Sequence, residues 1–333
     1  MDLSIIIVNW NSTDFIAQCV SSILSFVENL QFEIIVVDNA SSDDSYLLLP
    51  RRFEKVRLIC SPENIGFARA NNLGFENSSG KYVLFLNPDT KVINAAINFM
   101  YSFLQSSPEA GAVGCRLLNA DLSVQTSCIQ RFPTILNQLT DIEWLRLRYP
   151  KLRFWGIYPL FAEEQNVLAE VEVICGACIM IRREVFQGIG LFSSEYFMYG
   201  EDADLCYKIR EAGRKLIYIG AGTIVHYGKQ SSTRRKEDSF ETVVMRESIF
   251  QLLRKTRGRF YSHMYRIAMS LMAAFRLILV GPLLVLSRRA NSRESWRISF
   301  KKWWKILRWS VGLETSTARV GSSFKHVVLP AKN

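Results

Sequence analysis

The sequence predicts an α/β fold with a mainly parallel sheet flanked by helices, followed by a helical, basic C-terminal region. Short apolar runs alternate with amphipathic stretches through the first third of the chain, which is the pattern of βαβ units. The apolar runs are continuous, as expected for strands that are covered on both faces. The charge changes sign along the chain: residues 1–228 carry 19 Lys and Arg against 25 Asp and Glu, and residues 229–333 carry 22 against 6.

Six elements are predicted in order over the first 90 residues. Continuous apolar runs predict strands at Ser4–Val8, Glu33–Val37, Val56–Ile59 and Tyr82–Leu86. Helical spacing of apolar residues predicts helices at Phe15–Phe26 and Ala68–Phe75. From Ala110 to Ile181 the pattern loosens, and the polar and aromatic segment from Trp144 to Phe161 predicts loops and short helices that line a pocket.

Polar residues follow the predicted strands where each strand ends. They are Asn9, Asn11, Asp38, Asn39, Asn87 and Asp89. In an open α/β sheet, ligands bind beyond the carboxyl ends of the strands, so these side chains predict a binding site. Asn64, Gly66, Asn71 and Asn72 surround the start of a predicted helix, where free amides could face an anion. The chain has no Walker sequence and no GxGxxG, so the P-loop and dinucleotide fingerprints are absent.

Three carboxylates are crowded into four positions at Glu201, Asp202 and Asp204. Leu205 and the residues at helical spacing after it predict a helix that starts at this cluster and ends near Gly213. Helix capping accounts for one of the acids, whereas like charges at this spacing raise one another's pKa and favour a functional site. A carboxylate held there can serve as a general base.

The seven cysteines are scattered and mostly lie within apolar runs, which predicts reduced thiols in a cytosolic setting. Cys175 and Cys178 match a redox or zinc half-motif, but their apolar neighbours favour a buried strand, and no second pair completes a metal site. The N-terminal residues carry no positively charged leader, so no signal peptide is expected.

The basic C-terminal region contains two segments that suit a membrane. Ile267–Ser287 is nearly all apolar, yet Arg276 lies near its centre and Pro282 is expected to break its second half. The sequence leaves open whether this segment is a helix that spans the membrane or a surface-embedded or re-entrant hairpin. Further on, Trp296, Trp303 and Leu307 repeat at helical spacing opposite Lys and Arg, the pattern of an interfacial helix. Basic residues between aromatic ones would also suit single-stranded nucleic acid.

Taken in order, the polar motifs from residue 3 to about residue 232 resemble the family 2 glycosyltransferases of the GT-A fold. The motifs are Asn9-Trp-Asn11, Asp38-Asn39, Asn64-Ile-Gly66 to Asn72, Asn87-Pro-Asp89, Gly176-Ala-Cys178 and Gly200-Glu-Asp-Ala-Asp204 with His226. The chain is most similar to the bacterial branch that includes rhamnosyltransferases of cell-wall and surface-polysaccharide assembly.

The resemblance implies a divalent cation, Mg²⁺ or Mn²⁺, held by Asp89 and His226 beside the diphosphate of a nucleotide-sugar donor. An imidazole ligand is more typical of Mn²⁺ than of Ca²⁺. The usual motif of the family is Asp-x-Asp, and Asn87 stands at its first position here. A lone His beside an apolar run would otherwise be taken as structural.

The resemblance also implies a single displacement that inverts the anomeric carbon. Asp202 matches the catalytic base, Glu201 is placed for donor-sugar hydroxyls, and Asp204 is placed to cap the helix. The residues implied for donor binding are Asn9, Asn11, Asp38, Asn39, Asn64, Gly66, Asn71, Asn72, Asn87, Gly176 and Asp204. Phe192-Ser193-Ser194-Glu195 departs from the Phe-Asp-Glu that is more usual before the acidic cluster, which puts one local contact in doubt.

The predicted function is transfer of a sugar, with rhamnose from dTDP-rhamnose as the donor that the resemblance suggests, to a lipid-linked or polysaccharide acceptor in cell-envelope glycan synthesis. Residues 1–232 are expected to form the catalytic domain, with a nucleotide-sugar half to about residue 110 and an acceptor half from 111. Residues 233–333 are expected to hold it at the cytoplasmic face of the membrane. The alternatives are a sugar nucleotidyltransferase and a non-catalytic nucleic-acid-binding protein that uses the basic tail.

Overall fold

The computed structural model describes residues 1–42, 44–140, 148–149, 152, 155–156, 158, 167–228, 239–287 and 290–315. These residues fall into two compact units. The first unit takes the described residues within Met1–Phe132 and Leu147–Arg234, and the second takes those within Pro133–Arg146 and Arg235–Asn333. The predicted boundary at residues 232 and 233, and most of the predicted pocket-lining segment 144–161, lie outside the described residues.

The strands and helices are given in chain order. The strands are β1 Leu3–Asn9, β2 Phe32–Asp38, β3 Val56–Cys60, β4 Tyr82–Leu86, β5 Thr90–Val92, β6 Ala110–Leu118, β7 Ile129–Gln130, β8 Leu168–Glu170, β9 Val173–Ile174, β10 Cys178–Arg182 and β11 Lys215–His226. The helices are α1 Thr13–Phe26, α2 Leu49–Arg52, α3 Phe67–Glu76, α4 Ala96–Ser106, α5 Ile135–Leu139, α6 Arg183–Gly188, α7 Glu201–Glu211, α8 Ser239–Leu286 and α9 Ala290–Ser310.

The first half of the sheet is parallel, as predicted. Its strand order is β3-β2-β1-β4, and each neighbouring pair runs in the same direction. β1 and β4 are buried along their whole length, which explains their unbroken apolar sequence. All four predicted strands and both predicted helices are confirmed within two residues at each end.

The second half of the sheet is mixed, so the parallel arrangement holds for only part of the sheet. β10 runs antiparallel to β4 and β6, and β11 runs parallel to β6 but antiparallel to β5 and β8. The register of β10 on β4 pairs Cys178 with Leu86, which brings the residues before Cys178 beside the polar end of β4. All seven cysteines are free, and the Cys178 Sγ lies 3.6 Å from the Cys115 Sγ.

The second unit is built from α5, α8 and α9. α8 is interrupted at Gly258, where φ is 86°, and then continues through Pro282 to Leu286. The expected break at Pro282 and a re-entrant hairpin within 267–287 are therefore wrong: the helix is continuous through Pro282, and the chain folds back earlier, at Gly258, where the two parts of α8 pack against each other. By length and composition alone, α8 is the one helix among the described residues that could cross a membrane.

The core of the second unit is aromatic and aliphatic. Buried side chains from both parts of α8 and from α9 pack together, and Ile135 and Leu139 of α5 pack against them. Trp309 is 1% exposed and its indole Nε1 donates to the Glu247 Oε2 at 2.6 Å. A short segment from the middle of the sequence thus completes the core of the C-terminal unit.

Candidate active site

The ends of β1 and β2 are joined by a dense set of hydrogen bonds. The Asn9 Nδ2 donates to the Asp38 Oδ1 at 2.8 Å and to the Ser41 Oγ at 3.1 Å. Asp38 also accepts from the Ser41 amide and hydroxyl, and the Asn11 Oδ1 accepts from the Ser42 amide at 2.8 Å. The Asn9 Oδ1 is buried and has no hydrogen-bond partner among the described residues. A buried acceptor without a donor is costly, so this oxygen is suited to a ligand donor.

Asn39 and Asn64 fix the turn that leads into α3. The Asn39 Nδ2 donates to the Asn64 Oδ1 at 2.9 Å, and the same oxygen accepts from the Gly66 amide at 3.0 Å. The Phe67 amide donates to the Phe197 carbonyl oxygen at 2.9 Å. The amides of Gly66 and Phe67 are therefore bound within the protein and are not free for an anion.

Asn71 and Asn72 are predicted donor-binding residues whose amides bind the protein itself. The Asn71 Nδ2 donates to the Phe67 carbonyl of its own helix at 3.0 Å. The Asn72 side chain makes two bonds with the Phe192 main chain, donating to its carbonyl at 2.9 Å and accepting from its amide at 3.1 Å. Asn72 thus ties α3 to the loop that precedes the acidic cluster.

Asn87, Asp89 and His226 meet at the ends of β4 and β11. Pairing of β11 with β5 places His226 opposite Thr90. The His226 Nε2 lies 3.3 Å from the Asp89 Oδ1 and 3.3 Å from the Asn87 Nδ2. The Asn87 Oδ1 is buried without a partner among the described residues. The side chains of Asn87, Asp89 and His226 therefore lie together, with the Asp89 carboxylate and the Asn87 Nδ2 both at the imidazole.

Gln125 is a contact that the sequence did not indicate. Its Oε1 lies 2.8 Å from the His226 Nδ1, while its Nε2 donates to the Asn119 Oδ1 at 3.4 Å. Because the amide nitrogen donates to Asn119, the amide oxygen accepts from the imidazole Nδ1–H. The unprotonated Nε2 then lies between the Asn87 Nδ2, which donates to it, and the Asp89 Oδ1. Gln125 and His226 are 101 residues apart, and no motif joins them.

The acidic cluster follows a sharp turn. Tyr199 and Gly200 both have positive φ, 69° and 81°, and α7 begins at the next residue, Glu201. A non-glycine residue in this region of φ is strained and is often found at active sites. α7 ends at Glu211 and Gly213 follows with φ of 73°, as the spacing predicts.

Asp202 is held by two main-chain amides. Its Oδ1 accepts from the Ala203 amide at 2.8 Å and its Oδ2 from the Gly176 amide at 3.1 Å. One residue further along, the main-chain carbonyl of Ala177 accepts from the main-chain N–H of Asn87 at 3.0 Å. The Gly176–Ala177 segment therefore links the acidic helix start to the Asn87 end of β4, and the two halves of the predicted site meet there.

Asp204 explains the departure at Ser193. The Ser193 hydroxyl donates to the Asp204 Oδ2 at 2.5 Å, and the Lys208 Nζ lies 3.8 Å from the same oxygen. A carboxylate at position 193 would face the fully buried Asp204 with like charge, whereas a hydroxyl donates to it. Asp204 thus joins α7 to the preceding loop.

Burial controls the charge of the other two acids. Glu201 is 6% exposed, and desolvation followed by the repulsion of Asp202 raises its pKa to about 8. Desolvation also raises the pKa of Asp202, but the amides of Gly176 and Ala203 oppose that rise because they bind the ionised form. The Glu201 Oε2 has no partner among the described residues, and only the main-chain amide of Glu201 itself opposes the rise of its pKa.

Comparison with known proteins decides the family. The model of glycosyl transferase family 2 matches residues 4–190, more than half of the chain. The chain belongs to glycosyl transferase family 2. The resemblance drawn from the motifs is confirmed, and of the three predicted functions the family supports sugar transfer. This family 2 chain is a glycosyltransferase of the hexosyltransferase type.

Two curated relatives illustrate the family. The low-salt glycan biosynthesis hexosyltransferase Agl10 of Haloferax volcanii is 31% identical over 229 residues, which cover 67% of this chain and 66% of the relative. The N-acetylglucosaminyl-diphospho-decaprenol L-rhamnosyltransferase of Mycobacterium tuberculosis is 26% identical over 227 residues, 63% of this chain and 71% of the relative. The matched part of the chain thus spans about two thirds of the length of each of these two relatives.

A solved structure shows the same fold. The mannosyltransferase PcManGT from Pyrobaculum calidifontis, in complex with GDP-Man and Mn²⁺, superimposes with a TM-score of 0.55 at 16% identity, over 93% of this chain and 86% of that chain. The GT-A fold prediction is confirmed.

Proposed function

We propose that this enzyme transfers a sugar with inversion and that Asp202 is its general base. The acceptor oxygen attacks the anomeric carbon, its proton passes to the Asp202 carboxylate, and the bond from that carbon to the nucleoside diphosphate breaks. The observation that carries this assignment is the pair of amides, Gly176 and Ala203, that hold both Asp202 oxygens in place. An oriented carboxylate with a raised pKa is a stronger base than a free one.

A divalent cation fits the cluster of Asn87, Asp89 and His226. The unprotonated Nε2 of His226 and the Asp89 Oδ1 lie 3.3 Å apart, close enough for one cation to bind both in place of the Asn87 Nδ2 contact to Nε2. The Asn87 Oδ1 is buried and has no partner among the described residues, and it is the Nδ2 of this amide that lies beside His226. A bound Mg²⁺ or Mn²⁺ would offset the charge that develops on the diphosphate leaving group.

The donor phosphates have to complete such a site. The described residues contain no group of three or more His, Cys, Asp or Glu side chains arranged for a metal ion. Mg²⁺ is commonly held by one or two carboxylates together with substrate phosphates, so a sparse protein set is consistent with a donor-dependent site. Gln125 acts as a positioning residue here, because its bond to Nδ1 turns Nε2 toward the site.

For the substrates, we propose rhamnose from dTDP-rhamnose as donor and a lipid-linked or polysaccharide acceptor in cell-envelope glycan synthesis. The rhamnosyltransferase and glycan-biosynthesis relatives support this choice. The cluster at Asn9 and Asp38 is proposed to bind the nucleoside, since it offers a buried acceptor at the strand ends. The helices of the second unit are proposed to place the enzyme at the cytoplasmic face of the membrane.

The test is sugar transfer by the purified full chain with a panel of nucleotide sugars, with Mn²⁺, Mg²⁺ or EDTA, scored by release of nucleoside diphosphate. Asp202→Asn keeps the shape and removes the proton acceptor, so transfer is expected to fall by roughly 10²–10⁴-fold. Donor binding, measured by calorimetry, is expected to stay within a few fold.

Near-normal turnover by Asp202→Asn would refute the base assignment. Full activity in EDTA would remove the cation from the proposal. A preference for another nucleotide sugar would change the proposed donor but not the proposed roles of the residues.

A further inference from the structure

One face of α8 carries a continuous strip of exposed apolar side chains. We call it the apolar strip; its members are Phe260, Met264, Ile267, Leu271, Phe275, Ile278 and Val285. They follow one another at intervals that keep them on one face of a helix. Their exposed fractions run from 41% at Met264 to 81% at Phe260. From Phe260 to Val285 the strip extends roughly 38 Å at 1.5 Å per residue.

The two arginines within this part of α8 point toward α9. The Arg266 guanidinium donates to the carbonyls of Ser310 at 3.0 Å and of Trp309 at 2.8 Å. The Arg276 guanidinium lies 5.5 Å from the centre of the Trp303 ring. Arg276, the charged residue near the centre of the apolar segment, therefore packs on a neighbouring aromatic ring. None of the side chains that form the apolar strip is charged.

The same contacts show that α9 packs antiparallel to the part of α8 that carries the strip, on the side of Arg266 and Arg276. α9 is strongly basic, and Arg297, Lys301 and Arg308 on it are exposed. If α8 crossed a bilayer, these cations would be carried into the hydrocarbon with it. A charged side chain at the centre of a membrane is costly even on the mildest insertion scales. The packing of α9 therefore opposes a spanning α8, although its composition would allow one.

We propose that the second unit rests on an anionic phospholipid bilayer, with the part of α8 after Gly258 lying in the plane of the surface and the apolar strip inserted among the lipid tails. This inference rests on the membrane location proposed above and specifies its geometry. An interfacial helix buries its apolar face about 5–10 Å into the boundary of headgroups and acyl chains.

The positive charge of the second unit indicates that anionic lipid is what covers the apolar strip. Arg254, Arg257 and Arg259 are exposed immediately before Phe260, where the strip begins. Residues 229–333 carry 22 Lys and Arg against 6 Asp and Glu, a net charge of 22 − 6 = +16. Each basic residue close to an anionic surface adds to the attraction between the protein and the membrane. A second copy of the same cationic unit would be repelled, whereas a surface of anionic headgroups attracts it.

The first experiment is flotation of the full chain with vesicles of phosphatidylcholine, with and without phosphatidylglycerol. Binding is expected to need the anionic lipid and to weaken by at least tenfold in high salt. Leu271→Asp combined with Ile278→Asp is expected to lower the bound fraction by at least tenfold. Leu122→Asp, at a residue 62% exposed in the first unit, is the matched control and is expected to bind as wild type.

A second experiment distinguishes lying from spanning and does not depend on the strip variant. Ser287→Cys, made in a Cys60→Ser background because Cys60 is exposed, is treated with an impermeant maleimide added outside intact vesicles. Labelling without detergent is expected if α8 lies on the surface. Protection until detergent is added overturns the proposal in favour of a spanning helix, and salt-independent binding or an unaffected strip variant overturns it as well.

Sugar transfer to a water-soluble acceptor is measured in parallel. A chain that transfers sugar but binds no anionic vesicle overturns the lipid proposal and leaves the catalytic one standing. A third outcome is a dimer that forms through the strip while no vesicle binding is seen. If the Leu271 and Ile278 changes dissociate that dimer, the lipid proposal is overturned in favour of a second copy of the chain.

Discussion

At the residue scale, two adjacent acids in α7 hold their protons differently because their surroundings differ. Asp202 receives two main-chain N–H groups, which stabilise its ionised form, and can therefore accept a proton. Glu201 is buried beside it with one oxygen that has no partner among the described residues, and its pKa is raised to about 8. A neutral Glu201 also spares Asp202 a like charge at neutral pH.

The raised pKa of Glu201 predicts a pH dependence of stability. Between pH 4.5, the ordinary pKa of the side chain, and about 8, the unfolded chain loses this proton and the folded chain keeps it. Folding then takes up a proton, so the free energy of unfolding falls as the pH rises through this window. Glu201→Gln is expected to remove this slope and to be more stable than wild type at pH 8.

The measurement is denaturant unfolding of wild type and Glu201→Gln from pH 4.5 to 8.5. Glu211→Gln, at an exposed residue of the same helix, is the matched control and is expected to keep the wild-type slope. If the free energy of unfolding changes equally with pH in wild type and in Glu201→Gln, Glu201 is not the protonated group that we assign.

The Gln125 contact predicts an effect on metal affinity that is separate from turnover. Gln125→Leu removes the acceptor on the His226 Nδ1, and loss of such an outer contact typically costs 10–100-fold in metal affinity. Binding of Mn²⁺ in the presence of nucleoside diphosphate is followed by calorimetry. Gln125→Glu keeps an acceptor and is expected to recover most of the affinity.

Gln130→Leu is the control for the loss of a glutamine, since the Gln130 side chain bonds only to the Ser127 carbonyl among the contacts described. Equal Mn²⁺ affinity in wild type and Gln125→Leu would show that Gln125 does not position His226.

At the element scale, the start of α3 and the loop before α7 hold each other in place. The Phe67 amide donates to the Phe197 carbonyl, and Gly66 has φ of 82° and ψ of 168°, a region essentially restricted to glycine. A Cβ on Gly66 would stand 2.6 Å from the Phe197 carbonyl oxygen. The close approach of these two segments brings the start of α3 next to the acidic cluster.

Gly66→Ala is therefore expected to destabilise the protein through both backbone strain and collision. Strain of this kind costs about 1–3 kcal/mol, and the collision adds to it. Gly190→Ala is the matched control, because Gly190 has φ of 80° but an added Cβ there meets nothing within 4 Å. Thermal unfolding of both variants separates the two effects, and equal losses would show that the Phe197 contact is unimportant.

At the scale of the whole molecule, the two compact units do not follow the order of the chain. The second unit takes the described residues within Pro133–Arg146 as well as α8 and α9. Removing the chain from Ile267 onward would take Met269, Ile306 and Trp309 out of the shared core and expose its remaining half. The C-terminal region is thus a folded unit with its own core.

Trp309→Ala is expected to unfold the second unit selectively. Truncating a buried Trp typically costs about 3–5 kcal/mol, and this change also leaves Glu247 without the indole donor. Trp304→Ala, at a side chain 48% exposed on the same helix, is the control and is expected to cost little. Hydrogen exchange read by mass spectrometry should show lost protection in α8 and α9 while β1 and β4 stay protected; uniform loss would mean that the units unfold together.

The sequence by itself determined the parallel half of the sheet, the helix that starts at Glu201, the family and the polar residues at the strand ends, because local periodicity and short motifs encode these features. It could not determine the antiparallel insertion of β10, the meeting of Gly176 with Asp202, the bond from Gln125 to His226, or the packing of Arg276 on Trp303. Each of these joins residues far apart in the chain, and no local pattern carries a long-range pairing. The helix that continues through Pro282 belongs with them, since α9 packs along it and tertiary packing there outweighs the local tendency of proline to end a helix.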